Sequence, residues 1–413
     1  MSSGNEIRGA GDLSQRREGV ASRFLRHIIS RMEFGHITIL LPSSERIEHR
    51  GTRNGPSATI VLHRWRGIRR LISQGDLGFA EAYIDGDWSS PDLAALLELA
   101  ARNIALLDRR LSGFLPVRML NRLRHLLQAN SKTGSRKNIA FHYDLGNAFY
   151  RCWLDPSLTY SSALYERPDQ TLEDAQDVKL ARIVDLLELH GGEHILEIGC
   201  GWGALAIRLG LSGAHVSGVT LSSEQLTFAR ERRDADNLAD TVSLELQDYR
   251  DVEGTYDRIV SIEMLEAVGE AYWPTYFKIL HERLNAGGIA VLQVITIDEA
   301  RFDAYRRSPD FIQRHIFPGG MLPTRRIIVD QAEAAGLKLV STQSFGDSYA
   351  TTLAEWRKRF AASWPKIEKM GFPDKFRRLW EYYLCYCEAG FRTGTIDVGF
   401  YVLARSSATG VSR

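Results

Sequence analysis

A glycine-rich turn between an apolar run and a helical pattern constrains this chain more than any other feature. The apolar run is His194–Ile198, and the turn after it reads Gly199-Cys200-Gly201-Trp202-Gly203. Further runs of strand length alternate with helical patterns, as in a parallel sheet that is covered by helices on both faces. The sequence therefore predicts an α/β, doubly wound fold over residues 139–413. Its predicted helices are 172–189, Ala204–Leu211 and 223–232, and its predicted strands are His194–Ile198, His215–Thr220, Val242–Leu246, Tyr256–Ile262 and 288–295.

The chain before residue 139 has a different organisation. The 413 residues are enough for two domains with separate cores. Residues 1–20 are polar and rich in Gly and Arg, which predicts a disordered tail. Residues 21–98 combine a helical pattern at 24–31 with strand-like runs at 36–40 and 58–62, which predicts a smaller N-terminal α+β domain.

The segment 99–138 has a strong local charge imbalance. Nine of its residues are Lys or Arg, and its one acidic residue is Asp108. Leucines and other apolar residues recur among these charges at helical spacing, which predicts a basic amphipathic helical linker. Two interpretations remain open: the apolar stripe packs on the protein, or the helix contacts anionic lipid.

The overall composition excludes several classes of protein. Lys and Arg exceed Asp and Glu by only 52 to 51, so the net charge does not indicate a nucleic-acid partner. The four cysteines lack the spacing of a zinc site, and we expect no metal and a reducing cytoplasm. No apolar run reaches the roughly 18 residues of a membrane span. We therefore expect a cytoplasmic protein that meets lipid from the inner face of the membrane.

The glycine-rich turn indicates the cofactor when it is combined with the next two strands. A dinucleotide site would have the spacing GxGxxG and an acid at the end of the second strand, whereas here the spacing is GxGxG and that strand ends in Thr220-Leu221. S-adenosylmethionine (SAM) has no phosphate, and Glu197 supplies an acid for its methionine arm. Gln247 and Asp248 follow the third strand, where a polar side chain can bond the adenine amine. The sequence therefore predicts a Rossmann-like SAM-dependent methyltransferase fold.

Several sequence blocks make the chain similar to a known family. They are His142 to Asn147, the pair Tyr160-Ser161, Leu196 to Gly203, Gly218 to Gln225, Gln247 to Arg250, Ile316 to Gly320 with Leu322-Pro323, and Phe345 to Leu353. On these blocks the chain resembles the cyclopropane-fatty-acyl-phospholipid synthases over nearly its whole length after the tail. The N-terminal domain matches the extra domain of bacterial and plant members.

The resemblance implies two sets of site residues. One set surrounds SAM: Tyr143, Tyr160, Ser161, Gly199, Gly201, Thr220, Leu221, Gln225, Gln247 and Asp248. The other implies a bicarbonate ion that serves as a base, held by Glu266, the backbone at Ile295, and Tyr349. Ser162 and Gln293 stand where the family pattern has Cys and His, and both can still donate a hydrogen bond to an oxyanion. The motif Glu263 to Gly269 lacks the His that often follows the Glu, as in plant-type members.

The implied chemistry is attack of a carbon–carbon double bond on an activated methyl group. The resulting carbocation needs a dry pocket lined by aromatic rings, and the candidates are Tyr160, Tyr272, Trp273, Tyr349 and Trp356. Loss of a proton to the base then closes a cyclopropane ring, whereas loss from another carbon gives a methyl- or methylene-branched chain. We expect unsaturated phospholipid acyl chains as substrates and no nucleic acid; a homodimer is left open.

Two other functions compete with lipid modification. The chain could be a SAM methyltransferase for a small molecule, although the extent of the resemblance disfavours this hypothesis. It could also be a non-catalytic lipid-binding protein on a degenerate SAM fold. The retained Glu266, Tyr349 and glycine-rich turn argue against the second alternative.

Overall fold

The computed structural model describes residues 19, 22–111, 145–307 and 310–406, with the side chains of 105–111 omitted. These residues divide into two compact units. The described residues up to 111 form the first unit together with Arg378–Ala389, and the remaining described residues form the second. Tyr143, much of the basic linker and most of the N-terminal tail lie outside the described residues.

The first unit is a four-stranded sheet with helices. Its strands are β1 (Phe34–Leu40), β2 (Arg46–Arg50), β3 (Arg53–Leu62) and β4 (Trp88–Ser89), and their order in the sheet is β2-β1-β3-β4. The helices are α1 (residues 22–29), α2 (Arg66–Ile84) and α3 (Leu93–Leu111). The two predicted strand-like runs lie within β1 and β3, and β2 and β4 are additional.

Helix α3 crosses residue 98, where the sequence analysis ended the N-terminal domain. Asn103 is fully buried in this unit. Its side-chain oxygen accepts hydrogen bonds from the backbone of Glu33 at 2.9 Å and of Phe34 at 3.1 Å, and its amide donates to Leu99. The start of the predicted linker thus contributes to the core of the first unit.

The second unit is built on a seven-stranded sheet. Its strands are β5 (His194–Ile198), β6 (His215–Thr220), β7 (Val242–Leu246), β8 (Tyr256–Ile262), β9 (Leu284–Ile297), β10 (Leu337–Ser344) and β11 (Ile396–Arg405), in the order β10-β11-β9-β8-β5-β6-β7. Strands β5 to β9 are parallel, whereas β11 pairs antiparallel with both β9 and β10. The chain reverses its direction of travel across the sheet next to β5, and open α/β sheets bind ligands at such a point.

The helices of the second unit are α4 (Asn147–Tyr150), α5 (Leu172–Leu186), α6 (Ala204–Leu211), α7 (Ser223–Ala235), α8 (Leu265–Val268), α9 (Trp273–Arg283), α10 (Glu299–Arg307), α11 (Phe311–His315), α12 (Arg325–Ala334) and α13 (Gly346–Lys369). Helix α14 (Asp374–Arg392) follows, and its residues Arg378–Ala389 belong to the first unit. A capping box between Thr171 and Asp174 sets the start of α5. Within the described part of the chain, no helix combines the length and apolar character that a membrane span requires.

Candidate active site

The glycine-rich turn connects β5 to α6 and leaves open space at its centre. Gly201 has a φ of +53°, and a Cβ built on it would meet no atom within 4 Å. Gly203 has a φ of +83°, and a Cβ there would lie 2.9 Å from the Cβ of Ala229. Gly203 is therefore required for packing of the turn against α7. Gly201 is free of such contacts, so a ligand can approach its backbone closely.

Glu197 places a carboxylate beneath this turn. It is 3% exposed, and its Oε2 atom has no hydrogen-bond partner among the described residues. Burial raises the pKa of Glu197 to about 8, and the charge of Lys179 opposes that rise. A buried carboxylate oxygen without a partner costs free energy, and the ammonium group of a methionine arm would satisfy it. The turn and Glu197 thus fit SAM.

Lys179 is a buried cation that the sequence analysis did not select. Its ammonium donates to the hydroxyl of Ser161 at 2.8 Å, and it faces the negative charges of Glu263 and Glu197. Burial lowers the pKa of Lys179 to about 8. Lys179 lies on α5, in helical register with the buried apolar residues Leu172, Ala175 and Ile183. A lysine at a position of this apolar pattern is the sequence feature that could have indicated a buried cation.

The ends of β6 and β7 carry the other predicted SAM residues. Thr220 donates to the side-chain oxygen of Gln225 at 3.1 Å, and both residues are buried, whereas Leu221 is half-buried. Gln247 donates to the backbone of Asp251 at 2.8 Å. Asp248 is 2% exposed and its two oxygens accept from the guanidinium of Arg250. The carboxylate of Asp248 is therefore already engaged by a cation.

Aromatic rings pack together around Tyr160. Its ring centroid lies 5.4 Å from those of Tyr150 and Trp356 and 5.5 Å from that of Trp153. Tyr349 lies 6.1 Å from Trp356 in an edge-to-face arrangement. Three of the five predicted aromatic candidates thus form one cluster.

The other two aromatic candidates lie elsewhere. Trp273 belongs to the hydrophobic core between the sheet and α9, and Tyr272 packs against that core. Their role in lining the reaction pocket stays a prediction.

A carboxylate cluster forms where β8 ends, and Glu263 is at its centre. One oxygen of Glu263 accepts from the backbone N–H of Ser162 at 2.9 Å and from the amide of Gln293 at 2.7 Å. The other oxygen accepts from the hydroxyl of Tyr349 at 2.7 Å. Burial raises the pKa of Glu263, and these three donors oppose the rise. Glu263 is of intermediate exposure as a whole residue, and its carboxylate is engaged by these three donors.

The backbone of Glu263 is strained. Its φ is +49°, in the left-handed region that costs a residue other than glycine about 1–3 kcal/mol. Its N–H donates to the carbonyl of Gln293 at 2.8 Å, which holds the conformation. Such strain occurs mainly where the surrounding structure and function require it.

Glu266 lies one turn further on, in α8. One of its oxygens accepts from the backbone N–H of Ile295, and the other has no hydrogen-bond partner among the residues described. Burial, followed by the nearby charge of Glu263, raises the pKa of Glu266 to about 8. We infer that Glu266 holds a proton at neutral pH, whereas the three donors around Glu263 favour its charged form against the effect of burial.

The structure brings together the five residues that the resemblance assigns to an oxyanion. Ser162, Gln293 and Tyr349 donate to Glu263, and Ile295 donates to Glu266. The hydroxyl of Ser162 donates to the carbonyl of Ala163, so only its backbone faces the cluster. The sequence analysis did not assign a role to Glu263. Its position directly after a strand at the ligand-binding edge of the sheet was the available signal.

Comparisons with known proteins agree with this architecture. A family model described as mycolic acid cyclopropane synthetase matches residues 130–400. Tuberculostearic acid methyltransferase UfaA1 of Mycobacterium tuberculosis is 38% identical, over 96% of this chain and 93% of that protein. Cyclopropane-fatty-acyl-phospholipid synthase of Escherichia coli is 34% identical, over 83% of this chain and 87% of that protein.

Solved structures lead to the same result. Mycolic acid cyclopropane synthase CmaA1, in complex with SAH and CTAB, superimposes with a TM-score of 0.62 at 31% identity and covers 65% of this chain and 98% of its own. Coclaurine N-methyltransferase, at 20% identity and a TM-score of 0.61, shares the fold. These matches confirm the predicted fold class and the predicted family resemblance. The chain belongs to the mycolic acid cyclopropane synthetase family, and it is a SAM-dependent methyltransferase of the kind that modifies lipid acyl chains.

Proposed function

We propose that this enzyme transfers a methyl group from SAM to a carbon–carbon double bond in the acyl chains of membrane phospholipids, and that the product is a cyclopropane ring. The observation that carries this proposal is the cluster of donors around Glu263 and Glu266, which stands beside the aromatic cluster of Tyr160 and Trp356. A base and an aromatic lining are the two features that ring closure through a carbocation requires.

The residues of the turn hold and orient the cofactor. Bound SAM supplies a methyl group that is already activated by its sulfonium. The open backbone at Gly201 and the unpaired oxygen of Glu197 support placement of the methionine arm there. Thr220, Leu221 and Gln247 lie at the ends of the next two strands, and Gln225 lies in the first turn of α7. All four are proposed to contact the nucleoside. Asp248 is proposed to act through Arg250 and the shape of its loop, since its carboxylate is occupied.

The aromatic cluster is proposed to surround the reacting double bond. An alkene is a weak nucleophile, so the rate depends on holding it in line with the methyl group. Ring faces stabilise positive charge, and their apolar bodies exclude the water that would capture it. Tyr160, Tyr349 and Trp356 are within ring contact of one another and could serve both purposes.

A second product is favoured by a specific observation. UfaA1, whose name describes it as a tuberculostearic acid methyltransferase, matches this chain over 96% of its length. Removal of the proton from a different carbon would give a methyl- or methylene-branched acyl chain with the same cofactor and substrate. The choice depends on which C–H bond the base faces.

Analysis of lipids from cells that express the enzyme tests the proposal. We expect phospholipid acyl chains that have gained one carbon, with the cyclopropane or methylene-branched isomer identified by NMR. Cells that express the Tyr349→Phe variant are the control, because that variant lacks one donor of the cluster. Unchanged acyl chains, in cells whose enzyme binds SAM in a calorimetric titration, would contradict the proposed substrate and favour a small-molecule acceptor.

We also propose that the enzyme docks on anionic bilayers at the inner face of the membrane through the basic segment 99–138. Each Lys or Arg near such a surface contributes about 1 kcal/mol. Replacing Arg118, Arg122 and Arg124 by Glu should reduce sedimentation with anionic vesicles and leave SAM binding unchanged. Unaltered sedimentation would show that the segment has another role.

A further inference from the structure

Of the five residues that the family resemblance assigns to a bicarbonate ion, four donate hydrogen bonds to carboxylates of the protein, and the fifth, Glu266, is itself one of those carboxylates. Three of the donors, on Ser162, Gln293 and Tyr349, converge on Glu263. We propose that the Glu263 carboxylate is the base of this enzyme and takes the place of bicarbonate. The proposal rests on the proposed function and assigns a catalytic residue within it.

The donor set around Glu263 matches what a planar oxyanion requires. A carboxylate and a bicarbonate ion present the same pair of oxygens on one carbon, and both are held well by several N–H and O–H donors. One oxygen of Glu263 receives two donors and the other receives one, at 2.7–2.9 Å. The carboxylate thereby accepts the hydrogen bonds that these donors would otherwise make to a free bicarbonate ion.

The position of Glu263 supports contact with substrate. It follows β8 at the edge of the sheet where parallel α/β folds bind ligands. Its donor Tyr349 lies beside Trp356, and Trp356 lies beside Tyr160. Glu263 is therefore next to the aromatic cluster, through its contact with Tyr349.

The strained backbone of Glu263 is a second, independent observation. Left-handed φ values are ordinary for glycine and unfavourable for glutamate. At Glu263 the left-handed backbone is combined with a carboxylate that three donors hold in place, which is not the case for an exposed glutamate. The strain also makes glycine a suitable test residue, because it removes the carboxylate and relieves the backbone.

The three donors and the charge of Lys179 favour the ionised form of Glu263 and oppose the rise in its pKa that burial causes. Glu266 takes up the proton of the pair, because burial and the charge of Glu263 raise its pKa to about 8. The hydroxyl of Tyr349 donates a hydrogen bond to Glu263.

The step that Glu263 performs can be written with its electrons balanced. The π pair of the alkene forms the new bond to the methyl carbon, while the pair of the sulfur–methyl bond stays on sulfur to give a neutral thioether. Positive charge is left on the adjacent chain carbon. Glu263 accepts a proton from the added methyl group, and the released C–H pair closes the ring. The neutral Glu263 then returns its proton to water.

Two substitutions at Glu263 separate the alternatives. Glu263→Gly should lose about 10²–10⁴ in rate, and bicarbonate should restore part of the loss by entering the vacated place. Glu263→Gln should lose a similar factor without rescue, because the amide still fills that place. Glu188→Gly is the matched control, since Glu188 is an exposed glutamate with the same φ of +49°. It should keep full activity.

Binding of ¹³C-labelled bicarbonate, measured by NMR, tests whether the place of the Glu263 carboxylate can hold this ion, and it does not require turnover. We expect no binding to the wild-type enzyme, no loss of its activity in decarbonated buffer, and binding to Glu263→Gly. Bicarbonate-dependent wild-type turnover, or a Glu263→Gly rate within about 10-fold of wild type without bicarbonate, would overturn the proposal. Absence of acyl-chain products with any variant would instead reject the proposed function, and the binding measurement would still decide whether Glu263 occupies the ion's place.

Discussion

Replacement of Gly201 by alanine should weaken SAM binding. It should destabilise the fold no more than alanine does at another glycine with a left-handed backbone. The added Cβ would meet no protein atom within 4 Å, so it projects into the space beside the turn. The left-handed φ of +53° makes alanine unfavourable by about 1–2 kcal/mol. The same space must receive the methionine arm if the turn binds SAM.

Gly213 provides a matched control in the turn between α6 and β6. Its φ is +87°, and a Cβ there would also meet nothing within 4 Å. Gly213→Ala should therefore lose a similar 1–2 kcal/mol of stability, roughly 2–8 °C in Tm. It should bind SAM like the wild type, because Gly213 lies at the opposite end of α6 from the glycine-rich turn.

The two variants should separate in a calorimetric titration with SAM. Forcing an extra methyl group into a packed site costs about 1–3 kcal/mol, which corresponds to a loss of about 5-fold to 150-fold in affinity. We expect that loss for Gly201→Ala alone. If its SAM affinity stays within about twofold of wild type, roughly 0.4 kcal/mol, the turn does not bind the methionine arm and the reasoning fails.

Two further predictions follow from the buried charges. Lys179→Met removes a charge that lowers the pKa of Glu263, so the pKa of Glu263 should rise in this variant. The acid limb of the pH–rate profile should therefore move to higher pH, and an unmoved acid limb would contradict this. Glu266 has a pKa near 4.5 when unfolded and about 8 when folded, so its contribution to stability is full below the lower value and declines as the pH rises through the higher one. The Glu266→Gln variant cannot ionise at this position, so at about pH 9 it should be more stable than the wild type by up to a few kcal/mol. Urea unfolding of both proteins at about pH 6 and about pH 9 measures this difference. The same pH dependence in both proteins would contradict the burial of this carboxyl.

The central strands could be predicted closely because their sequence pattern is local. Strands β5, β6, β7 and β8 have the predicted bounds, since each is a short stretch in which Val, Ile or Leu recur between helical patterns. Helix α5 ends at Leu186 rather than 189, because the apolar pattern continues through Leu187 while Glu188 already has a left-handed backbone.

Strands at the edge of each sheet were harder to predict. Strand β10 alternates apolar residues with Lys, Ser, Thr and Gln, and its burial is low, as expected for an edge strand. Its antiparallel partner β11 is apolar, but a run of that kind does not indicate which strand it will pair with or in which direction. Pairing depends on contacts between residues far apart in the chain.

The same limit applies to the site. The family resemblance selected Glu266, Ile295, Gln293 and Tyr349, and the structure places them in one cluster. Glu263 was missed because its donors are remote in sequence: Ser162 is separated from it by 101 residues and Tyr349 by 86. Periodicity and spacing contain no information about such contacts.

The charges of the site explain why a base built into the chain is compatible with this cofactor. Burial raises the pKa values of Glu197 and Glu266 to about 8, so both are largely protonated at neutral pH, and the charge of Lys179 opposes the rise in the pKa of Glu263. SAM carries a net positive charge, because its ammonium and carboxylate cancel and its sulfonium remains. Its arrival therefore favours ionisation of nearby carboxyls and strengthens the negative charge that a base needs. Once the methyl group is transferred, the positive charge moves from the cofactor to the acyl chain, and the fixed carboxylate of Glu263 is already in place to receive the proton.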